Sequence, residues 1–119
     1  MPKEEEVQVD DVKLYQFHRG SLKISGTTKS HSAGRYAANL WRSGKRPVDF
    51  VYLGGNAGQQ ADKAVHAMMM ELAKLFNIMV AFVPMRVMVK TEPDEEGKSY
   101  VKDAFVWRAI PLDQGVNDG

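Results

Sequence analysis

The chain of 119 residues contains no cysteine. That absence excludes disulfide scaffolds, thiolate metal sites and cysteine nucleophiles, and it fits a reducing compartment. No apolar run reaches transmembrane length, and no basic-then-apolar signal segment stands at the start. An acidic run, Glu4-Glu5-Glu6, follows Met1, Pro2 and Lys3 instead. A cytoplasmic protein without a membrane role is the expectation. Nucleotide motifs are missing too: no G-K-[ST] follows the glycine pair Gly54-Gly55, and G-x-G-x-x-G does not occur. His18, His31 and His66 lack metal-ligand spacing, and no acidic residue sits at a telling offset from them. No carboxylate pair stands out as acid and base. The expectation is a non-enzymatic protein without metal or cofactor.

Net charge of one sign is also nearly lacking, at a formal +1, but its distribution is uneven. Between Ser21 and Ile110 there are 13 Lys and Arg against 8 Asp and Glu, leaving +5; the two ends together carry −4. A moderately basic centre between acidic ends permits a polyanion partner.

The length suits one domain. Residues 1–20 read as an acidic N-terminal arm, in which 12–17 have enough apolar content for an added strand or a docked segment. Residues 112–119 read as a flexible tail. Between them, Leu22 and Ile24 alternate in a short strand over 21–25. Gly26 to Lys29 forms a turn, and Ser30 is the expected N-cap of a helix carrying Ala33, Tyr36, Ala37, Leu40 and Trp41 at helical spacing. Gly44 is its stop signal. A loop, Lys45-Arg46-Pro47, leads to an apolar strand over 48–53. The Gly54-Gly55 turn follows, with Asn56 as expected cap.

The clearest amphipathic helix comes next, with Ala57, Ala61, Ala64, Val65, Met68, Leu72, Leu75 and Phe76 at three- and four-residue steps. Met69 and Met70 widen its apolar face, which suits core or a dimer contact. A long β-rich run over 78–89 contains Pro84, which implies a bulge, an edge or a break. A polar connection, Glu92 to Gly97, precedes a final strand over 100–110. The order β-α-β-α-β-β predicts an α/β chain of the α+β two-layer sandwich kind: a four-stranded mixed sheet with two helices on one face.

These elements resemble a known family. Residues 25–44, SGTTKSHSAGRYAANLWRSG, resemble the first loop and helix of the stage V sporulation protein S family. The G-x-x-x-x-x-Q-A-x-K-A-V pattern within 53–65 resembles the opening of its second helix. Phe82-Val83-Pro84-Met85 and Arg108-Ala109-Ile110-Pro111 match its third and last strands, so the resemblance covers about residues 21–111. That family is similar to the Alba-like superfamily. The resemblance implies an Alba-like domain over 21–111 and a small homodimeric nucleic-acid-binding protein, DNA or RNA, in some cases regulatory. It also implies a basic residue in the loop before the first helix, here the single Lys29, and a glycine turn before the second, here without arginine. Arg86 and Lys90 would belong to an extended hairpin arm.

The resemblance also implies that the glycine turn and the basic loop before the first helix share one surface, and the residues permit anion contacts at each. A strand that ends in Gly54-Gly55-Asn56 and runs straight into a helix leaves backbone N–H groups facing outward, which favours an anion. The alternative is a tight turn and no more. Gln59 and Lys63 are four apart and share an exposed face, as base or phosphate contacts or as an ordinary solvated face. Lys29, Arg35, Arg42, Lys45 and Arg46 form a basic set around the first helix; Arg35 and Arg42, seven apart, lie on one stripe. Trp41 and Tyr36 suit base stacking or core. Two rival readings stay open: a protein-interaction or scaffolding oligomer, and a small nucleotide-binding protein.

Overall fold

The computed structural model describes residues 14–112. Among these, the strands are β1 (Ser21–Lys23), β2 (Val48–Tyr52), β3 (Val80–Lys90) and β4 (Val101–Pro111), and the helices are α1 (Ser30–Arg42) and α2 (Asn56–Phe76). The strands form one mixed sheet in the order β1-β2-β4-β3. β1 and β2 are parallel; β4 runs antiparallel to both β2 and β3. The expected α+β architecture is therefore the one observed. No described helix is long and apolar enough to cross a membrane.

Period-two alternation sorts the strands into two faces. Val48 and Phe50 of β2, Val80 and Phe82 of β3 and Trp107 and Ala109 of β4 face the helices, where they meet Ala37, Leu40 and Trp41 of α1 and Ala64, Met68 and Leu72 of α2. Trp41 and Met68 are buried, so both are core residues. Each such large side chain contributes about 1.5–3 kcal/mol through burial. The opposite face carries Val51, Val89, Ala104 and Val106, packed against Tyr15, Met85 and Val87. Tyr15 belongs to a docked N-terminal segment: its N–H donates to the Met88 carbonyl at 2.8 Å, and Leu14 forms a parallel bridge with Met88. The part of the N-terminal arm before residue 14 and the tail from 113 lie outside the described residues.

The two helices touch closely because Gly34 has no side chain. A Cβ there would lie 2.4 Å from the Ala67 Cβ and 2.7 Å from the Ala64 carbonyl oxygen. α1 ends where its sequence says it should. Gly44, at φ 80°, donates to the Trp41 carbonyl and Lys45 to that of Leu40, the paired bonds of a Schellman motif.

The starts differ from expectation. Lys29, in an extended conformation, is the N-cap of α1, and Ser30 is already helical; the Lys29 carbonyl accepts the first helical bond, from Ala33 at 3.0 Å. Gly55, not Asn56, caps α2. Its φ of 61° and ψ of −137° suit glycine alone, so the helix begins one residue earlier than a side-chain cap would place it.

Pro84 breaks nothing: β3 pairs continuously with β4, Pro84 opposite Trp107. β3 is an edge strand, and the Met88 carbonyl points out of the sheet toward Tyr15. Pro84, four residues earlier, shares that orientation, so its missing N–H lies on the outer edge.

Candidate nucleic-acid interface and a buried polar clasp

The parallel pairing of β1 and β2 brings their following loops to one end of the sheet. The two loops touch: a Cβ on Gly26 would lie 3.1 Å from the Asn56 Cβ. Ser25 and Thr28 hold the first loop, through Ser25 N–H donating to Thr28 Oγ1 at 2.7 Å and Thr28 N–H donating to the Ser25 carbonyl at 3.2 Å. Lys29 and Gly54-Gly55-Asn56 thus belong to one loop cluster. Cβ positions at Gly54 and Gly55 meet nothing within 4 Å, so the turn is open. Neither helix has an acidic residue in its first turn, which leaves the positive end of each dipole uncompensated by the chain itself.

From that cluster the outer face of the helical layer carries a groove. His31 of α1 and Lys63, His66, Met70, Glu71 and Lys74 of α2 are among its lining residues. Arg35 follows His31 by four residues and is exposed, so it continues the same stripe of α1. Gln59 precedes Lys63 by four and is exposed as well. Lys29, Arg35, Gly54, Gly55, Asn56, Gln59 and Lys63 thus lie in the touching loops or in the N-terminal halves of the two helices that follow them.

It separates the rest. Arg42, at the far end of α1, stacks over the Phe76 ring at 3.6 Å, and Arg46 over the Trp41 ring at 4.4 Å. Lys45 shares their loop. These three form a second basic group about 20 Å away along a 13-residue helix. Arg86, on β3, is paired with Asp103 at 2.8 Å. The hairpin beyond it folds back: Val89 packs with Val51, and Glu92 reaches Lys23 at 3.6 Å.

No protein-family model and no curated protein matches this chain.

The most densely bonded site was not foreseen from the sequence. Asp49, with 0% of its surface exposed, lies on the sheet face away from the helices. Arg108, its register partner on β4, donates from Nε to Oδ1 at 2.8 Å and from Nη2 to Oδ2 at 2.9 Å. Tyr15 donates its hydroxyl to Oδ2 at 2.5 Å. His18 Nε2 lies 3.0 Å from the same oxygen. The Gly20 N–H donates to His18 Nδ1 at 3.1 Å, which assigns the ring proton to Nε2 and makes that nitrogen the donor to Asp49. Ser21 accepts from the His18 N–H at 3.0 Å and meets the Tyr15 hydroxyl at 2.6 Å. A carboxylate has about four acceptor sites, and four donors converge on this one, three of them at Oδ2. No buried side-chain polar atom lacks a partner among the described residues.

Three pKa directions follow. Burial pushes the Asp49 carboxyl up, but hydrogen bonds from Arg108, Tyr15 and His18 outweigh it and hold the group below its usual value. Burial, then the bond to the Asp49 carboxylate, pushes the Tyr15 phenol well above its ordinary 10.0. The bond to Asp49 raises Arg108. Chemically the group is a clasp. Both imidazole nitrogens are engaged, the carboxylate is neutralised by a bidentate guanidinium, and the Ser21 hydroxyl meets the tyrosine hydroxyl and not the imidazole, so the relay of a nucleophilic triad is not assembled. No sequence offset reveals the partner of His18: Asp49 is 31 residues away in sequence and adjacent in space.

Proposed function

We propose that the protein is a non-enzymatic nucleic-acid-binding module that contacts the phosphate backbone of DNA or RNA. The observation that carries this reading is the groove in which Lys63, His66 and Lys74 of α2, with Glu71 among them, face His31 of α1; Arg35 follows His31 by one helical turn, and the open loop cluster at Lys29 and Gly54-Gly55-Asn56 precedes the same two helices. The likeness of the loop and helix segments to the stage V sporulation protein S family, and through it to Alba-like proteins, supports the same reading. Lys29, Arg35 and Lys63 would each neutralise a phosphate, with Gln59 beside them. Arg42, Lys45 and Arg46 would meet a longer ligand at the far end of α1. A cytoplasmic location accompanies this proposal.

The test is a fluorescence-anisotropy titration with a labelled oligonucleotide between about 50 and about 200 mM salt. Affinity should fall steeply with salt. Arg35→Ala and Lys63→Ala should each lower the slope by about one. Binding that is absent at low salt, or indifferent to salt, would sink the proposal.

A specific observation also favours self-association. Leu75, Phe76 and Met79 are exposed at the C-terminal end of α2, with Leu112 beside Met79. A homodimer formed there would leave the basic groove uncovered at its N-terminal end. Sedimentation of the protein and of its Leu75→Glu variant measures this directly.

A further inference from the structure

The helices do not cover the whole sheet. On their side of it, Phe105 of β4 remains 39% exposed. It stands opposite Tyr52 of β2 and Arg86 of β3 in register. The Tyr52 and Phe105 rings lie 5.6 Å apart with planes 30° from parallel. Tyr52 is wedged against the first turn of α2, 3.5 Å from where a Cβ on Gly58 would sit. The Arg86 side chain is 70% exposed, and Asp103 engages it through Nη2, leaving most of its five donors unused. Two π-faces and a planar guanidinium thus form a row across three strands, starting two residues before the Gly54-Gly55 turn.

We infer that this row is a stacking platform for unpaired bases, so that the ligand is single-stranded nucleic acid rather than duplex. The inference rests on the nucleic-acid reading above and adds the strandedness of the ligand. A duplex hides the π-faces of its bases, whereas a single strand offers them to aromatic rings and guanidinium planes. The backbone of a strand stacked on Phe105 and Tyr52 runs on toward Gly54-Gly55-Asn56 and the cations beyond, which joins base and phosphate contacts in one path. The chemistry of the row also favours this occupant over another protein. Two aromatic rings present at most about 150–250 Å² each, well short of the roughly 800 Å² per partner of a stable protein interface, and the guanidinium beside them, though paired with Asp103, keeps donors for a phosphate oxygen.

The experiment compares one labelled oligonucleotide as a single strand and as its duplex, against wild type, Phe105→Ala and Phe105→Leu. Leucine keeps apolar packing on Tyr52 and removes the π-face, so it separates stacking from folding. Both variants should lose about fivefold or more in single-strand affinity, while duplex affinity stays within about twofold of wild type on the same scale. Unchanged single-strand affinity in Phe105→Leu overturns the platform, as does an equal loss for both forms. A change of oligomeric state without a change in binding also overturns it, by giving the face to a second copy. Wild-type protein that binds neither form overturns the polyanion reading, and the platform with it.

Discussion

At the scale of single residues, Asp49 concentrates the largest consequences. Removing one partner of a buried ion pair leaves the other uncompensated, at about 3–5 kcal/mol. Arg108 keeps 34% of its side chain exposed, so Asp49→Asn should cost about 3 kcal/mol by urea denaturation, the lower end of that range. The pH dependence has a definite sign. Asp49 titrates lower in the folded state than in the unfolded chain, so its contribution is complete above the usual carboxylate value of about 4 and fades as pH falls through the folded value. Asp49→Asn should flatten that acid limb. Tyr15 is displaced upward, so its contribution is complete below about 10 and is lost as pH rises further. The stability difference between wild type and Tyr15→Phe should therefore shrink from pH 9 to about 11; a constant difference would contradict a neutral phenol donating to Asp49. None of this was legible in the sequence. Tyr15, His18, Asp49 and Arg108 lie on three separate stretches, and only the β2–β4 register sets Asp49 against Arg108.

At the scale of elements, period was legible and end chemistry was not. The three- and four-residue spacing located both helices and alternation located β1 and β4, because burial on one face imposes those periods, while β2 was legible as a continuous apolar run buried on both faces. The caps were misplaced because Ser30 and Asn56 carry capping side chains, while the backbone at Lys29 and Gly55 decides where each helix begins. The helix contact at Gly34 has a direct test. Gly34→Ala places a methyl within 2.4 Å of Ala67 and 2.8 Å of the Met68 nitrogen, which overpacks the contact and should cost about 1–3 kcal/mol. Gly58→Ala has ordinary contact distances, 3.5 Å to the Tyr52 ring, and should stabilise α2 by up to about 1 kcal/mol. Opposite shifts in the denaturation midpoint would verify the pair; a stabilising Gly34→Ala would show that the helices have room to part. The basic residues were legible singly, yet only the parallel loops and the α1–α2 groove decide which of them share a surface: Lys29, Arg35 and Lys63 at one end, Arg42 and Arg46 held over Phe76 and Trp41 at the other.

At the scale of the whole molecule, charge and edges matter. Residues 1–13 carry two Lys against five Asp and Glu, so deleting them raises the net charge by three. Long-range attraction should then strengthen oligonucleotide binding, most at low salt; weaker binding by the shortened chain would assign those residues a contact of their own. A different consequence follows from Pro84. An open sheet invites a strand from another chain, and a long exposed edge is the usual starting point for fibrils. Here β1 offers three residues only, and β3 interrupts its outward ladder at Pro84 while Leu14 occupies it at Met88. Pro84→Val would restore the missing donor without disturbing the pairing to β4. Its folding stability should stay near wild type, and its rate of thioflavin-positive aggregation should rise. The proline that looked like a flaw in a strand is then the feature that keeps one sheet from recruiting the next.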